Sequence, residues 1–293
     1  MPEKRKRRLG DRRDGRKIRT LPPMCYVAIG VMKKRNDAQN LFASSIDYAN
    51  IEEYIRKKRE EGLTGFGFMH LIVAAYVRTV SQKPAINRYI AGLRVFARNE
   101  IVLSMMVKKE MKLNAQETAI KVRFQPTDTA EDVYKRMEAE IEKARQIGDT
   151  TNLDNVARVI NYMPAFLLRG FIAFMQFLDY FGIMPKVINE ASPFHSSVFV
   201  SYLGSLGIPP IFHHLYVFGN TPVFITFGAK RRELALREDG STYQRTIVDY
   251  TVVTDERTTD GHYMASALKY LERNLNNPEN LDVPPETVVE DID

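Results

Sequence analysis

The sequence predicts an α/β protein of the α+β kind, a two-layer sandwich with helices packed on a mixed, mostly antiparallel sheet. Two observations carry this. Amphipathic helical stripes recur at Phe68–Gln82, at 129–146 and after Asp260. The C-terminal third is instead a series of strand-like runs, two of them joined by the hairpin pair Asp239-Gly240. With 44% hydrophobic and 27% charged residues over 293 positions, the chain has ordinary globular composition, which excludes a collagen-like or wholly disordered protein.

Taken in order, residues 1–20 read as a basic flexible arm, with ten Lys/Arg against Glu3, Asp11 and Asp14, closed by Pro22-Pro23. Arg12-Arg13-Asp14-Gly15-Arg16 reads as a turn within it, so part of the arm is expected to dock. Cys25–Met32 reads as a strand, as does Leu41–Ile46. Asn50 is placed as the N-cap of a helix with Ile51, Tyr54 and Ile55 inward and Gly62 at its end. The Phe68–Gln82 helix buries Phe68, Leu71, Ile72, Ala75, Tyr76 and Thr79, and Pro84 stops it. Residues 88–108 suggest two strands, the second Ile101–Val107, and Thr118–Phe124 a third. The 129–146 helix carries the stripe Val133, Met137, Ile141, Ala144. After 152–162 comes the hydrophobic stretch Pro164–Met184. Strands follow at Val198–Leu203, Val223–Phe227, Arg232–Leu236 and Arg245–Thr254, then a helix capped by Asp260 with Met264, Leu268, Leu271 and Leu275 inward. One domain over 21–280 results, with an acidic tail over 281–293.

Net charge is +6, but the arm supplies most of the excess, and the last twelve residues hold five acids and no base. The body therefore gives no reason to expect nucleic acid as a partner. For the arm, an anionic partner or the acidic tail of a neighbour competes with simple solubility. The single cysteine, Cys25, excludes an internal disulfide and a Cys-rich zinc site, which suits a reducing cytoplasm. No metal site is expected: His213 and His214 are adjacent, and adjacent strand residues face opposite sides.

Pro164–Met184 is broken by Arg169 and Asp179. A membrane span needs about 20 apolar residues, and a helix lying on a bilayer wants more basic residues than Arg169 alone. Membrane association is therefore not expected. The stretch reads as a helix buried against its own core or a sister subunit, or as a cover over a pocket for a hydrophobic substrate, with Phe171 and Phe174 as pocket candidates.

The chemical signal lies at the end of the Arg245–Thr254 strand, where Asp255-Glu256-Arg257-Thr258-Thr259-Asp260-Gly261 leads directly into the last helix. This segment resembles the Asp-His-Arg-x-x-Asp-Gly motif of the chloramphenicol acetyltransferase-like fold, in particular the catalytic domain of the acyltransferase component of 2-oxoacid dehydrogenase complexes. Three further stretches agree in order. Pro84-Ala85-Ile86-Asn87 resembles that family's Pro-x-x-Asn. Phe199-Val200-Ser201-Tyr202-Leu203-Gly204-Ser205-Leu206-Gly207 resembles its Thr-Ile-Ser-Asn-Leu-Gly-x-x-Gly strand. Asn277-Pro278 resembles the end of its last helix. The likeness covers roughly residues 25–280, with the hydrophobic stretch as an insertion.

The resemblance implies a coenzyme A-dependent acyltransferase working as a homotrimer. It would move an acyl group from an acyl-CoA to a thiol or hydroxyl acceptor, small or of lipoyl type, at a subunit interface. No cofactor would be bound; the coenzyme A thioester is a substrate. Ser201 maps to the hydroxyl that donates to the oxyanion. Asp255, Arg257 and Asp260 map to the loop's supporting residues. Glu256 stands where the family has its general-base histidine. Either burial raises this carboxyl enough to serve as base, or it pairs with an arginine and the chain is a degenerate homologue, an oligomeric scaffold or acyl-ligand binder. His195, just upstream of the Ser201 strand, and His262, after Gly261, are further candidates near the substrate. His70 reads as a packing residue on its helix.

Overall fold

The computed structural model describes residues 6–108, 117–146 and 162–293. Residues 1–5 of the arm, and 152–161 from the middle of the chain, fall outside these described residues. The main sheet has six strands in the order β2-β9-β8-β7-β5-β6: β2 (Gln39–Asp47), β5 (Ile101–Lys108), β6 (Glu117–Phe124), β7 (Val198–Tyr202), β8 (Val223–Leu236) and β9 (Thr242–Asp255). Only β5–β7 and β7–β8 pair in parallel; the other neighbours are antiparallel. A second, three-stranded sheet runs β1-β4-β3 from Gly15–Lys17, Arg94–Arg98 and Arg88–Ala91.

Four helices cover one face of the large sheet: α2 (Ala49–Glu60), α3 (Phe68–Gln82), α4 (Ala130–Gln146) and the last helix of the fold, α7 (Gly261–Asn276). α3 is buried along nearly its whole length, because it lies between the sheet, α4 and α7. The core between the layers takes alternate strand residues, Val198 and Val200 from β7, Ile225 and Phe227 from β8, Tyr250 and Val252 from β9. Their neighbours Phe199, Phe224 and Val253 point to the other face. There they pack under Leu215 and Tyr216, from the connection 207–222 that crosses this outer face.

Several expectations are corrected. Cys25–Met32 is not a strand: Pro23–Val31 forms helix α1, with Pro at its start and Ile29 packed against Ile18, Ile90 and Val95. Proline at the first helical position sets the helical φ, and this local signal outweighs the β-branched residues that follow. Residues 88–108 hold three strands, not two. Val223–Phe227 and Arg232–Leu236 are one strand, with a bulge between Phe227 and Lys230. Asn50, expected as the N-cap, lies inside the helix: it begins at Ala49 with Tyr48 as N-cap, and Asp47 accepts a hydrogen bond from the Ala49 N–H at 2.9 Å.

The arm differs from the flexible segment expected over 1–20. Gly15–Lys17 is a strand paired with β4. Arg12 is buried, with its guanidinium on Asp14 at 3.2 Å and Asp179 at 2.5 Å. The acidic tail meets this region: Asp291 pairs with Arg88, and Asp293 with Arg8 and Arg16. Opposite charges at the two ends of the sequence thus neutralise each other within the fold.

One glycine in the outer connection is irreplaceable. Gly219 has φ +88°, and a Cβ there would stand 2.2 Å from the Phe194 carbonyl oxygen. Gly219→Ala is expected to lower stability by at least the roughly 1–3 kcal/mol of a strained backbone, read as a fall in denaturant midpoint; an unchanged midpoint would contradict this packing.

Candidate functional site

The motif segment is built around a buried charge cluster. Asp255 ends β9 and is 1% exposed; its carboxylate accepts from Arg257 Nε at 2.8 Å and Nη2 at 2.7 Å. A second buried guanidinium, Arg35, stands 3.4 Å away. Arg35 in turn donates to the carbonyls of Tyr216 and Gly219, and Arg257 to that of Met32. The Asp255 carboxylate therefore ties the end of β9 to the outer connection and to the end of α1. Asp260 caps α7 by accepting the Tyr263 N–H at 2.8 Å.

Glu256 is exposed, and among the described residues its carboxylate has neither a hydrogen bond nor an ion-pair partner; its N–H donates to the Ala38 carbonyl. It is neither buried in an apolar crevice nor locked to an arginine. Ser201 is half-buried on the outer face, next to Phe199 and level with Thr226 and Thr251. Five residues and two strand spacings separate that level from Glu256, on the order of 20 Å. Within one chain the two do not meet; they lie toward opposite ends of the sheet.

The other candidates are also dispersed. His262 is exposed in the first turn of α7. Phe171 and Phe174 lie on α5 (Ala165–Tyr180), where they are exposed, Phe174 by 55%. α5 buries only Met175, so its apolar surface is largely open. His195 is 4% exposed, with Nδ1 2.8 Å from Ser192 Oγ and Nε2 3.6 Å from Asp179. It anchors the end of α5 rather than facing Ser201. α6 (Lys186–Ala191) completes this side, where Asn189 accepts from Lys121, an amine pulled down to about 7 by burial next to Arg98 and Arg123. A surface cavity of about 450 Å³ between α2 and β8, lined by Tyr48, Glu52, Phe68 and Lys230 among others, includes none of the motif residues. Among the described residues there is no cluster of three His, Cys, Asp or Glu side chains that could hold a metal, and no helix long and apolar enough to cross a membrane.

Sequence reasoning missed Arg12, Asp14 and Asp179, which join the arm to the insertion. Burial opposes ionisation of Asp179, but the His195 ring and the Arg12 guanidinium outweigh it and hold the carboxyl down to about 2. Because the folded value lies below that of an unfolded chain, the carboxylate stabilises the fold above pH ~4, and this contribution of about 2 kcal/mol is lost as pH falls toward 2. Wild type is expected to exceed Asp179→Asn in thermal stability at pH 6, with the gap narrowed to roughly a third at pH 2.5. A gap that stays constant would contradict the clasp.

No family model matches the sequence, and no curated protein matches it. Solved structures do. A probable dihydrolipoamide acetyltransferase from Listeria monocytogenes superposes with a TM-score of 0.56 at 12% identity, covering 90% of this chain and 95% of that one. A dihydrolipoamide acetyltransferase from Azotobacter vinelandii gives 0.55 at 12%, covering 91% and 94%. A chloramphenicol acetyltransferase gives 0.52 at 14%, covering 86% and 94%. The fold is the chloramphenicol acetyltransferase-like fold that the motif order implied.

Proposed function

We propose that the protein is a coenzyme A-dependent acyltransferase that moves an acyl group to a thiol acceptor at the interface of a homotrimer. The observation that supports this most directly is the half-buried Ser201 on the outer face of the strand matching the family's oxyanion strand. Ser201 Oγ–H donates to the carbonyl oxygen as it becomes an oxyanion. The apolar surface of α5, together with exposed Ile208, Ile211 and Phe212, supplies surface for neighbouring copies to bury. An Azotobacter or Listeria-type dihydrolipoamide acetyltransferase acts, by its name, on a dithiol, and a dithiol is the acceptor proposed here.

A carboxylate in water is a weak base toward a thiol. The scaffold alternative would have had Glu256 closed into an ion pair, and none forms among the described residues. The test is acetyl transfer from acetyl-coenzyme A to dihydrolipoamide by the full chain. Coenzyme A release that requires the dithiol supports the reading; no release, or release independent of acceptor, overturns it.

A further inference from the structure

We propose that α5, with the tip of the β3–β4 hairpin and α1 beside it, docks on an anionic phospholipid surface. Docking of this side is independent of any reaction at Ser201.

α5 is open around most of its circumference. Among the described residues only Leu168, Met175, Leu178 and Asp179 of the helix are shielded, and they fall on one narrow stripe. Phe174 and Phe177 are each 55% exposed, and Phe181, just past the helix end, is exposed too. A helix that is apolar nearly all round is stable in a core or in lipid, not in water. The hairpin tip stands against the C-terminal end of α5, since a Cβ on Gly92 would lie 2.7 Å from the Tyr180 carbonyl oxygen. α1 is packed on the same hairpin. Its Ile29 meets Ile90 and Val95, and the Arg94 guanidinium lies 5.5 Å from the Tyr26 ring centre. Met24, Val27 and Val31 of α1 are exposed.

The hairpin tip departs from what its turn favours. Gly92 and Leu93 lie between the paired Ala91 and Arg94, and both have positive φ, 54° and 57°. Turns of this kind favour Asn and Gly, which tolerate that backbone, whereas a leucine is strained there. Leu93 is also 44% exposed, so burial within the chain does not offset the strain. An apolar side chain held outward on a strained turn is stabilised by what the tip touches.

Charge selects the partner. Residues 21–34, 88–98 and 162–188 make up these elements and hold only one of the chain's 36 acids, Asp179. Its carboxylate is taken up by Arg12. The same segments expose Lys33, Lys34, Arg94, Arg169 and Lys186. In sequence, Arg169 is the one base on the α5 stretch; the fold adds Arg94, on the hairpin whose tip meets the end of α5. Two copies meeting through this side would bring like charges together, whereas an anionic headgroup layer attracts them. With a length of about 24 Å, α5 does not cross the roughly 30 Å hydrocarbon layer; it lies at the interface. A neighbouring copy on one side of α5 leaves the opposite side of the helix open to lipid.

The experiment floats the full chain with vesicles of phosphatidylcholine alone and of phosphatidylcholine mixed with phosphatidylserine. Light scattering gives the mass, and near-ultraviolet circular dichroism verifies folding. Wild type is expected to bind the mixed vesicles at least roughly 10-fold more tightly than the neutral ones, and to be released by salt. Phe174→Ser/Phe177→Ser is expected to lower binding about 10–100-fold, and Arg94→Gln about 5-fold. Leu93→Asn suits the turn, so it is expected to lower binding about 5-fold while melting no earlier than wild type. Wild type that binds neither vesicle, or both equally, overturns the proposal. So do folded variants that bind as wild type does. A lower mass of the phenylalanine variant with unchanged vesicle binding also overturns it, and would give this side to a second copy.

Discussion

Ser201→Ala is expected to lower kcat for acyl transfer about 10²–10³-fold, the effect of deleting one oxyanion donor. The loss should fall on kcat rather than KM, because a ground-state carbonyl makes a weak hydrogen bond where an oxyanion makes a strong one. Stability should barely change: Ser201 is half-buried, and among the described residues its hydroxyl makes no hydrogen bond that alanine would break. Steady-state kinetics beside a thermal melt separates the two. A folded Ser201→Ala protein with wild-type kcat would remove the oxyanion role.

Asp255→Asn is expected to be the most damaging change to the fold among the motif residues. The substitution keeps the shape but leaves Arg257 and Arg35, 8% and 6% exposed, without their carboxylate. Uncompensated buried charge costs about 3–5 kcal/mol, which for a domain of this size is a fall of roughly 10 °C in Tm. Because Arg35 holds the carbonyls of Tyr216 and Gly219, the damage reaches the connection 207–222. Adding Arg257→Met to Asp255→Asn is expected to recover part of the loss, since one stranded charge is then gone. A melt of the single variant within 2 °C of wild type, by the scale just given, would show that the cluster does not hold β9 to that connection.

The parts of the fold legible in sequence were those whose signal is local and periodic. The stripe at Val133, Met137, Ile141 and Ala144 sits on a helix of nearly the expected bounds, and Asp260 caps α7 through its own side chain. The Cys25–Met32 run misled because Val and Ile say strand, whereas Pro22-Pro23 and packing against Ile18 and Val95 decide for a helix. The docking of the arm was only partly legible. A turn at Asp14-Gly15 was visible, but the partners that bury Arg12 and Arg16 are Asp179 and Asp293, far away in sequence. The Asp260 cap could be read because its contact is local, whereas the pairing of Asp255 with Arg35 and of Arg257 with the Met32 carbonyl joins segments far apart in sequence. The path of the connection 207–222 could not be read either, since it depends on which strand face the connection crosses, and that is a tertiary fact with no period in the sequence.

The most direct measurement uses acetyl-coenzyme A labelled with deuterium on the acetyl group, incubated with the protein and dihydrolipoamide and followed by mass spectrometry of every product. Direct transfer at an oxyanion site predicts label on the dithiol sulfur, free coenzyme A in equal amount, and no label on the protein. Label recovered only as acetate, or held covalently on Ser201, would contradict the account.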